Sequence, residues 1–198
     1  MIKLIIFDLG GVIVNYDEII YADYISNKFD IPLSKFLKAF DFYNTKLEVD
    51  AIKTKEMYRG LSKEFHIPIR DLDWNPPFRN NAKLNLEVVN FANNLTKKYK
   101  VAILSNLTIS RYLYLRKKFL PKLKFDKMFF SCYLKMRKPD KGIFDYVVNY
   151  FKIKPEEVLF IDNMEENIEG AKKLGITAIL FDIDSDWKNE IEKVLNKN

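Results

Sequence analysis

Five short apolar runs, "KLIIFD", "KVAILSN", "DKMFFS", "EVLFID" and "TAILFD", are spaced along the chain with amphipathic segments between them. Each is rich in β-branched or aromatic residues and is apolar at successive positions, as strands buried on both faces are. The intervening segments follow helical spacing. "NLEVVNFANNLTKKY" carries Leu86, Val89, Phe91 and Leu95 near one face, and "KGIFDYVVNYFK" places Ile143, Val147 and Phe151 at i, i+4 and i+8. "EENIEGAKKLG" ends in Gly175, a helix stop. Strands alternating with helices predict an α/β fold built on a Rossmann-like, doubly wound parallel sheet.

One interval breaks the alternation. From about Asn15 to Lys83 only helical patterns occur, in "DEIIYADYISNKF", "PLSKFLKAFDFYN" and "TKEMYRGLSKEFH", punctuated by Pro32, Pro68 and "NPPFRNN". The reading is an α/β core over 1–14 and 84–198, with an all-helical cap over 15–83. An insert directly after the first strand sits above the strands' carboxyl ends, where open α/β sheets bind ligands. It reads as a lid.

The chain's 198 residues suffice for one well-cored domain with a modest insert, and 48% hydrophobic with 30% charged residues argues against disorder. No apolar run is long enough to cross a bilayer, and "MIKLIIFD" meets an acid too early for a signal peptide, so a cytoplasmic protein without a membrane partner is expected. Cys132 is the lone cysteine, which rules out an internal disulfide; within "FFSCYL" it reads as a small buried hydrophobe. With His66 the sole histidine, His pairs and His-rich metal sites are excluded by counting. Acid–base work falls to carboxylates, Lys or Tyr. The net charge of +6 raises nucleic acid as a partner, but the lysines are interspersed with acids, and only Lys117 to Lys141 is locally basic. A small anionic substrate is the preferred partner, and nucleic acid is not expected.

Three strands end in polar residues: the first at Asp8, the second at Ser105 and Asn106, the fourth at Asp162 and Asn163. The loop "MRKPDKG" can bring Lys138 to the same edge. Each piece alone has a bland reading, as a helix cap, a turn or a solvated lysine. Four of them in order at predicted strand tips or helix starts point to one crevice.

In these motifs the chain resembles the haloacid dehalogenase (HAD) superfamily of aspartyl-nucleophile hydrolases, over nearly its whole length. "FDLGGVIV" matches the first motif with Asp8 as nucleophile, and "AILSN" the second with Ser105. "RKPDKGIF" matches the third with Lys138, and "FIDNMEENIEGAKKLGI" the fourth, the most specific of the set. The resemblance is closest to bacterial phosphatases with "D-L-G-N-V"-like first motifs, a branch that includes an α-glucose-1-phosphate phosphatase and relatives of the N-terminal phosphatase domain of soluble epoxide hydrolase. It implies hydrolysis of a small phosphomonoester through an aspartyl-phosphate on Asp8. Mg²⁺ would be held by Asp8, the Gly10 carbonyl, Asp162 and Asn163, with Asp162 acting directly or through water. Ser105 and the amide of Asn106 would hold the phosphoryl oxygens, and Lys138 would neutralise charge on nucleophile and phosphate. Gly10 and Gly11 would let the backbone turn and approach the ligand.

Two positions depart from the usual phosphatase pattern. Gly10 stands where a second Asp ordinarily serves as general acid, so leaving groups of low basicity are expected, a sugar phosphate foremost. Asp17, Glu48 and Asp50 are possible substitutes from the cap side, although each is expected to be a solvated surface acid. Asn163 replaces the usual main metal-binding acid, so a functional but weak Mg²⁺ site is expected. A metal-free 2-haloacid dehalogenase ranks below the phosphatase because "NYDEIIYADYISNKF" has no Arg for a carboxylate or halide pocket. A phosphate-binding scaffold with a decayed site is the third reading. Tyr16, Phe42, Tyr43, Tyr58 and Trp74 are candidate pocket aromatics, equally explained by packing of the cap.

Overall fold

The computed structural model describes residues 1–16 and 19–196. In chain order its strands are β1 (Leu4–Phe7), β2 (Val14–Asn15), β3 (Lys83–Leu84), β4 (Lys100–Ser105), β5 (Lys127–Phe130), β6 (Val158–Asp162) and β7 (Thr177–Leu180). The helices are α1 (Ile19–Phe29), α2 (Leu33–Glu48), α3 (Thr54–Phe65), α4 (Asn75–Asn81), α5 (Leu86–Leu95), α6 (Ile109–Lys118), α7 (Ser131–Leu134), α8 (Lys141–Phe151), α9 (Glu165–Lys172) and α10 (Trp187–Asn196). All five strands expected from the apolar runs form one sheet, ordered β5-β4-β1-β6-β7 and parallel throughout.

The inner strands β1, β4 and β6 are apolar on both faces because each face has its own core, whereas β7, also expected to be buried, is an edge strand with Thr177 and Leu180 exposed. Ile5, Phe7, Val101, Ile103, Leu159 and Ile161 point to one side, toward Val88, Leu115 and Ile191 of α5, α6 and α10. Leu4, Ile6, Ala102, Leu104, Val158 and Phe160 point to the other, where Ile143, Phe144 and Ile168 of α8 and α9 cover them. This is period-two alternation in which both sets of side chains are buried. Gly175, expected to stop a helix, has φ +82°, just past α9.

Helices α1 to α4 share a separate core of Tyr21, Ile25, Phe36, Phe40, Met57, Leu61 and Trp74. Two details differ from the sequence reading. "NPPFRNN" is the helix α4 rather than a break, since Pro76 and Pro77 occupy its first turn, where a missing N–H leaves no helical bond unmade. The helical interval is also bounded by two short strands: β2 and β3 pair antiparallel, Val14 opposite Leu84 and Asn15 opposite Lys83. The chain therefore leaves the sheet region and returns to it side by side. Two residues per strand are too few to show a period, which is why the pattern hid them.

Candidate active site

The register of the sheet assembles the site. Phe7 lies level with Ile103 and Ile161, so the residue just after β1, Asp8, stands level with the tip of β6 at Asp162. Its amide donates to the Ile161 carbonyl at 2.8 Å, which extends the ladder by one residue. Ser105 closes β4 on the other side and is buried. After Asp8 the chain reverses over Leu9–Val14, with Ile13 and Val14 both donating to the Leu9 carbonyl. Gly11 has φ +80°, which an L side chain adopts only with strain, and a Cβ there would run into the side-chain amide of Asn163. Asn163 is thereby placed against the turn that follows Asp8.

Lys138 enters from the loop before α8 and is 1% exposed. Its ammonium donates to Asp8 Oδ1 at 2.7 Å and to Asp162 Oδ2 at 2.5 Å, and lies 5.4 Å from the centre of the Phe160 ring. One cation between two ionised carboxylates leaves the cluster with one net negative charge, buried except for a small exposed part of Asp8. Burial pushes the Asp8 carboxyl up to about 6 against the pull of Lys138, with Asp162 adding to the rise. Burial acts to lower the Lys138 pKa, but its two carboxylate partners overcome this and leave it above the ordinary lysine value. The ammonium form is held.

Three supporting contacts were not anticipated. The Asn106 side chain forms a reciprocal pair with the Lys138 backbone, its Nδ2 donating to the Lys138 carbonyl at 2.9 Å and its Oδ1 accepting from the Lys138 amide at 2.8 Å. Asn167 donates to both oxygens of Asp162, at 3.2 and 3.1 Å, and the Met164 amide donates to Asp162 Oδ1 at 2.8 Å. Gly170 lets α9 approach the loop, for a Cβ there would lie 2.8 Å from both Pro139 Cβ and Pro139 O. The run "NIEGA" was legible as a motif. Its physical content is that Asn167 holds Asp162 while Gly170 admits the lysine loop. Asp162, expected among metal ligands, accordingly has both oxygens engaged by Lys138, Asn167 and backbone.

Asp17 lies outside the described residues. Glu48, expected to be solvated, is buried: it accepts from Arg137 Nε at 3.0 Å and from Asn44 at 3.1 Å, joining α2 to the lysine loop. Asp50 is half-buried and pairs with Lys53 at 2.5 Å. Tyr43 and Tyr58 belong to the packing of the helical interval, and Phe42 is exposed. Trp74 packs in the helical core against Phe40, and the Arg111 guanidinium of α6 reaches it, 4.1 Å from the Trp74 ring centre and 5.3 Å from that of Tyr16. Arg111 is buried, and no pattern in the sequence distinguished it from the other basic residues of its segment. Cys132 is buried, and desolvation pushes its thiol up to about 11, which disfavours the thiolate a nucleophile needs. Among the described residues no group of three His, Cys, Asp or Glu converges as a metal site, and no helix is long and apolar enough to cross a membrane.

A model of the haloacid dehalogenase-like hydrolase family matches residues 2–175. D-ribitol-5-phosphate phosphatase of Bacteroides thetaiotaomicron is 28% identical over 99% of this chain and 100% of its own length. Drimenol cyclase of Aspergillus calidoustus is 26% identical over 98% of this chain, which spans 36% of that longer protein. Among solved structures, a HAD family enzyme of Bacteroides thetaiotaomicron superposes with a TM-score of 0.78 at 26% identity, covering 96% of this chain and 98% of that one. The same enzyme in complex with magnesium and inorganic phosphate gives 0.75 at 26% identity, over 96% and 99% of the two chains.

Proposed function

Because the chain belongs to the haloacid dehalogenase-like hydrolases, we propose that it is a Mg²⁺-dependent phosphatase of a small phosphomonoester, with Asp8 as nucleophile. The observation that carries this reading is the buried Asp8–Lys138–Asp162 bridge, made by three segments remote in sequence at the carboxyl edge of one sheet. The full-length likeness to a sugar-alcohol phosphate phosphatase supports a sugar phosphate or sugar-alcohol phosphate as substrate class.

In this mechanism an Asp8 oxygen attacks phosphorus in line and the leaving oxygen departs with the bonding pair. Lys138 holds Asp8 in place and offsets charge as the dianion approaches, while Ser105 and the Asn106 amide donate to the phosphoryl oxygens. Water then attacks the aspartyl-phosphate, releasing inorganic phosphate and restoring Asp8. Asn106, by clasping the Lys138 backbone, keeps the ammonium aimed. The helical interval 15–83, as a cap entered through β2 and left through β3, selects the substrate.

The donors available for a cation are hard oxygens, as Mg²⁺ requires: Asp8, the Gly10 carbonyl and Asn163, which lies against the same turn. Asp162 contributes through water at most, because its oxygens are committed. One carboxylate with neutral donors would hold such an ion weakly. When bound, Mg²⁺ supplies the positive charge that lets carboxylate and phosphate dianion meet.

The test is phosphate release from a panel of sugar phosphates, sugar-alcohol phosphates, nucleotides and an aryl phosphate, with Mg²⁺ or EDTA, beside Asp8→Asn. Metal-dependent release that is lost in the variant supports the phosphatase. Halide release from a 2-haloacid without metal would establish the dehalogenase instead, and phosphate binding without turnover would establish a scaffold.

A further inference from the structure

The phosphatase reading leaves the leaving group without a proton donor, since position 10 carries no side chain. We propose that the phenol of Tyr16 is that donor, a role resting on the phosphatase reading of the same site. A Cβ built on Gly10 would lie 2.5 Å from Tyr16 Oη, 3.0 Å from Cζ and 3.1 Å from Cε1. The hydroxyl end of Tyr16 therefore occupies the volume in which a side chain two residues past the nucleophile would begin. Glycine at position 10 and tyrosine at position 16 are one steric solution: the phenol fits only because the Cβ is missing.

The ring is held where this requires. Tyr16 follows β2, whose pairing with β3 anchors it beside the sheet. Its ring packs edge-on against Phe78 of α4, centres 4.9 Å apart at 78°, and the Arg111 guanidinium of α6 lies 5.3 Å from its centre. Contacts from both the helical interval and the sheet layer thus fix the ring, and the hydroxyl is carried on a rigid arm. A phenol O–H donates a hydrogen bond and can release its proton in a transition state.

In the first step the Asp8 oxygen–phosphorus bond forms, the phosphorus–leaving-oxygen bond breaks with its electron pair on the leaving oxygen, and that oxygen takes the Tyr16 proton to depart as a neutral alcohol. In the second step the water that attacks the aspartyl-phosphate returns a proton to the phenolate. Asp8 is released as carboxylate and inorganic phosphate leaves. Phosphates of ordinary alcohols then fall within the substrate range, beyond the low-basicity leaving groups that Gly10 alone suggests.

The experiment is single-turnover release of the leaving group with Mg²⁺ and enzyme in excess, comparing a primary-alcohol phosphate with 4-nitrophenyl phosphate. Enzyme excess isolates the first step. Tyr16→Phe keeps the ring against Phe78 and Arg111 and removes only the hydroxyl. Release of the alcohol should slow about a hundredfold. Release of 4-nitrophenolate, which needs no proton, should stay within about threefold, which also shows that the variant folds. Gly10→Asp in a Tyr16→Ala background, where the Cβ now has space, should recover alcohol release relative to Tyr16→Ala alone. Equal slowing of both substrates, or an unchanged alcohol rate, would overturn the assignment and leave the phosphatase intact. A wild-type protein that releases neither leaving group would take down the assignment together with the reading beneath it.

Discussion

Replacing Lys138 by methionine isolates the electrostatics of the site, because the side chain is nearly volume-matched and lies 1% exposed. The substitution removes the cation at 2.7 Å from Asp8 and 2.5 Å from Asp162 and leaves two buried carboxylates facing each other. Breaking a buried ion pair from one side costs about 3–5 kcal/mol. With a urea slope of about 3 kcal/mol per molar, the unfolding midpoint should fall by roughly 1–2 M at pH 7.5. The pH dependence gives the sharper signature. Asp8 titrates at about 6 in the folded chain against 3.8 for an unperturbed group. Between those values the folded state binds more protons than the unfolded, so stability falls as pH rises, by about 3 kcal/mol in all for the metal-free protein. Lys138 opposes the rise, so in its absence the Asp8 carboxyl titrates higher and the decline runs on above pH 6. The deficit of Lys138→Met should therefore be full at pH 7.5 and smaller by at least about 1 kcal/mol at pH 5. Adding Asp8→Asn should recover part of it. Urea unfolding in EDTA at the two pH values measures this. A deficit below about 1 kcal/mol, or one equal at both pH values, would refute the idea that the lysine compensates buried charge.

Other expectations are independent of that experiment. Asp8→Asn should lower phosphate release by about 10⁴-fold or more, as loss of a nucleophile does, without lowering the thermal midpoint. Asn163→Asp adds a charged oxygen beside the Gly11 turn and should tighten Mg²⁺ about tenfold by titration calorimetry; unchanged affinity would remove Asn163 from the ligand set. Asn106→Ala breaks both hydrogen bonds to the Lys138 backbone and should cost about 1–3 kcal/mol in denaturant, with a drop in kcat and little change in KM. Gly170→Ala must push α9 off Pro139 and should cost about 1–3 kcal/mol. A neutral result there would mean the loop yields freely.

The sheet and its cargo of polar tips were readable from the chain alone because their signals are local. Runs such as "KLIIFD" and "EVLFID" carry both the strand pattern and the acid that ends it, and hydrophobic period does not depend on what is far away. The separation of 130 residues between Asp8 and Lys138 was bridged by motif order, not by any force visible in one dimension. What remained hidden were relations between side chains from different elements. Nothing about Glu48 in its helix reveals that Arg137 awaits it, and nothing about Arg111 separates it from the exposed cations that follow. The sequence suggested a role only for the backbone amide of Asn106, whereas its side chain is engaged by the lysine's own backbone. Gly10 shows the division most plainly. In the sequence it is a missing acid, while in three dimensions it is the space that a phenol six residues later fills. Identity and local period are properties of the chain, but which group stands beside an absent Cβ depends on how a turn and two helices pack, and packing is decided only when they meet.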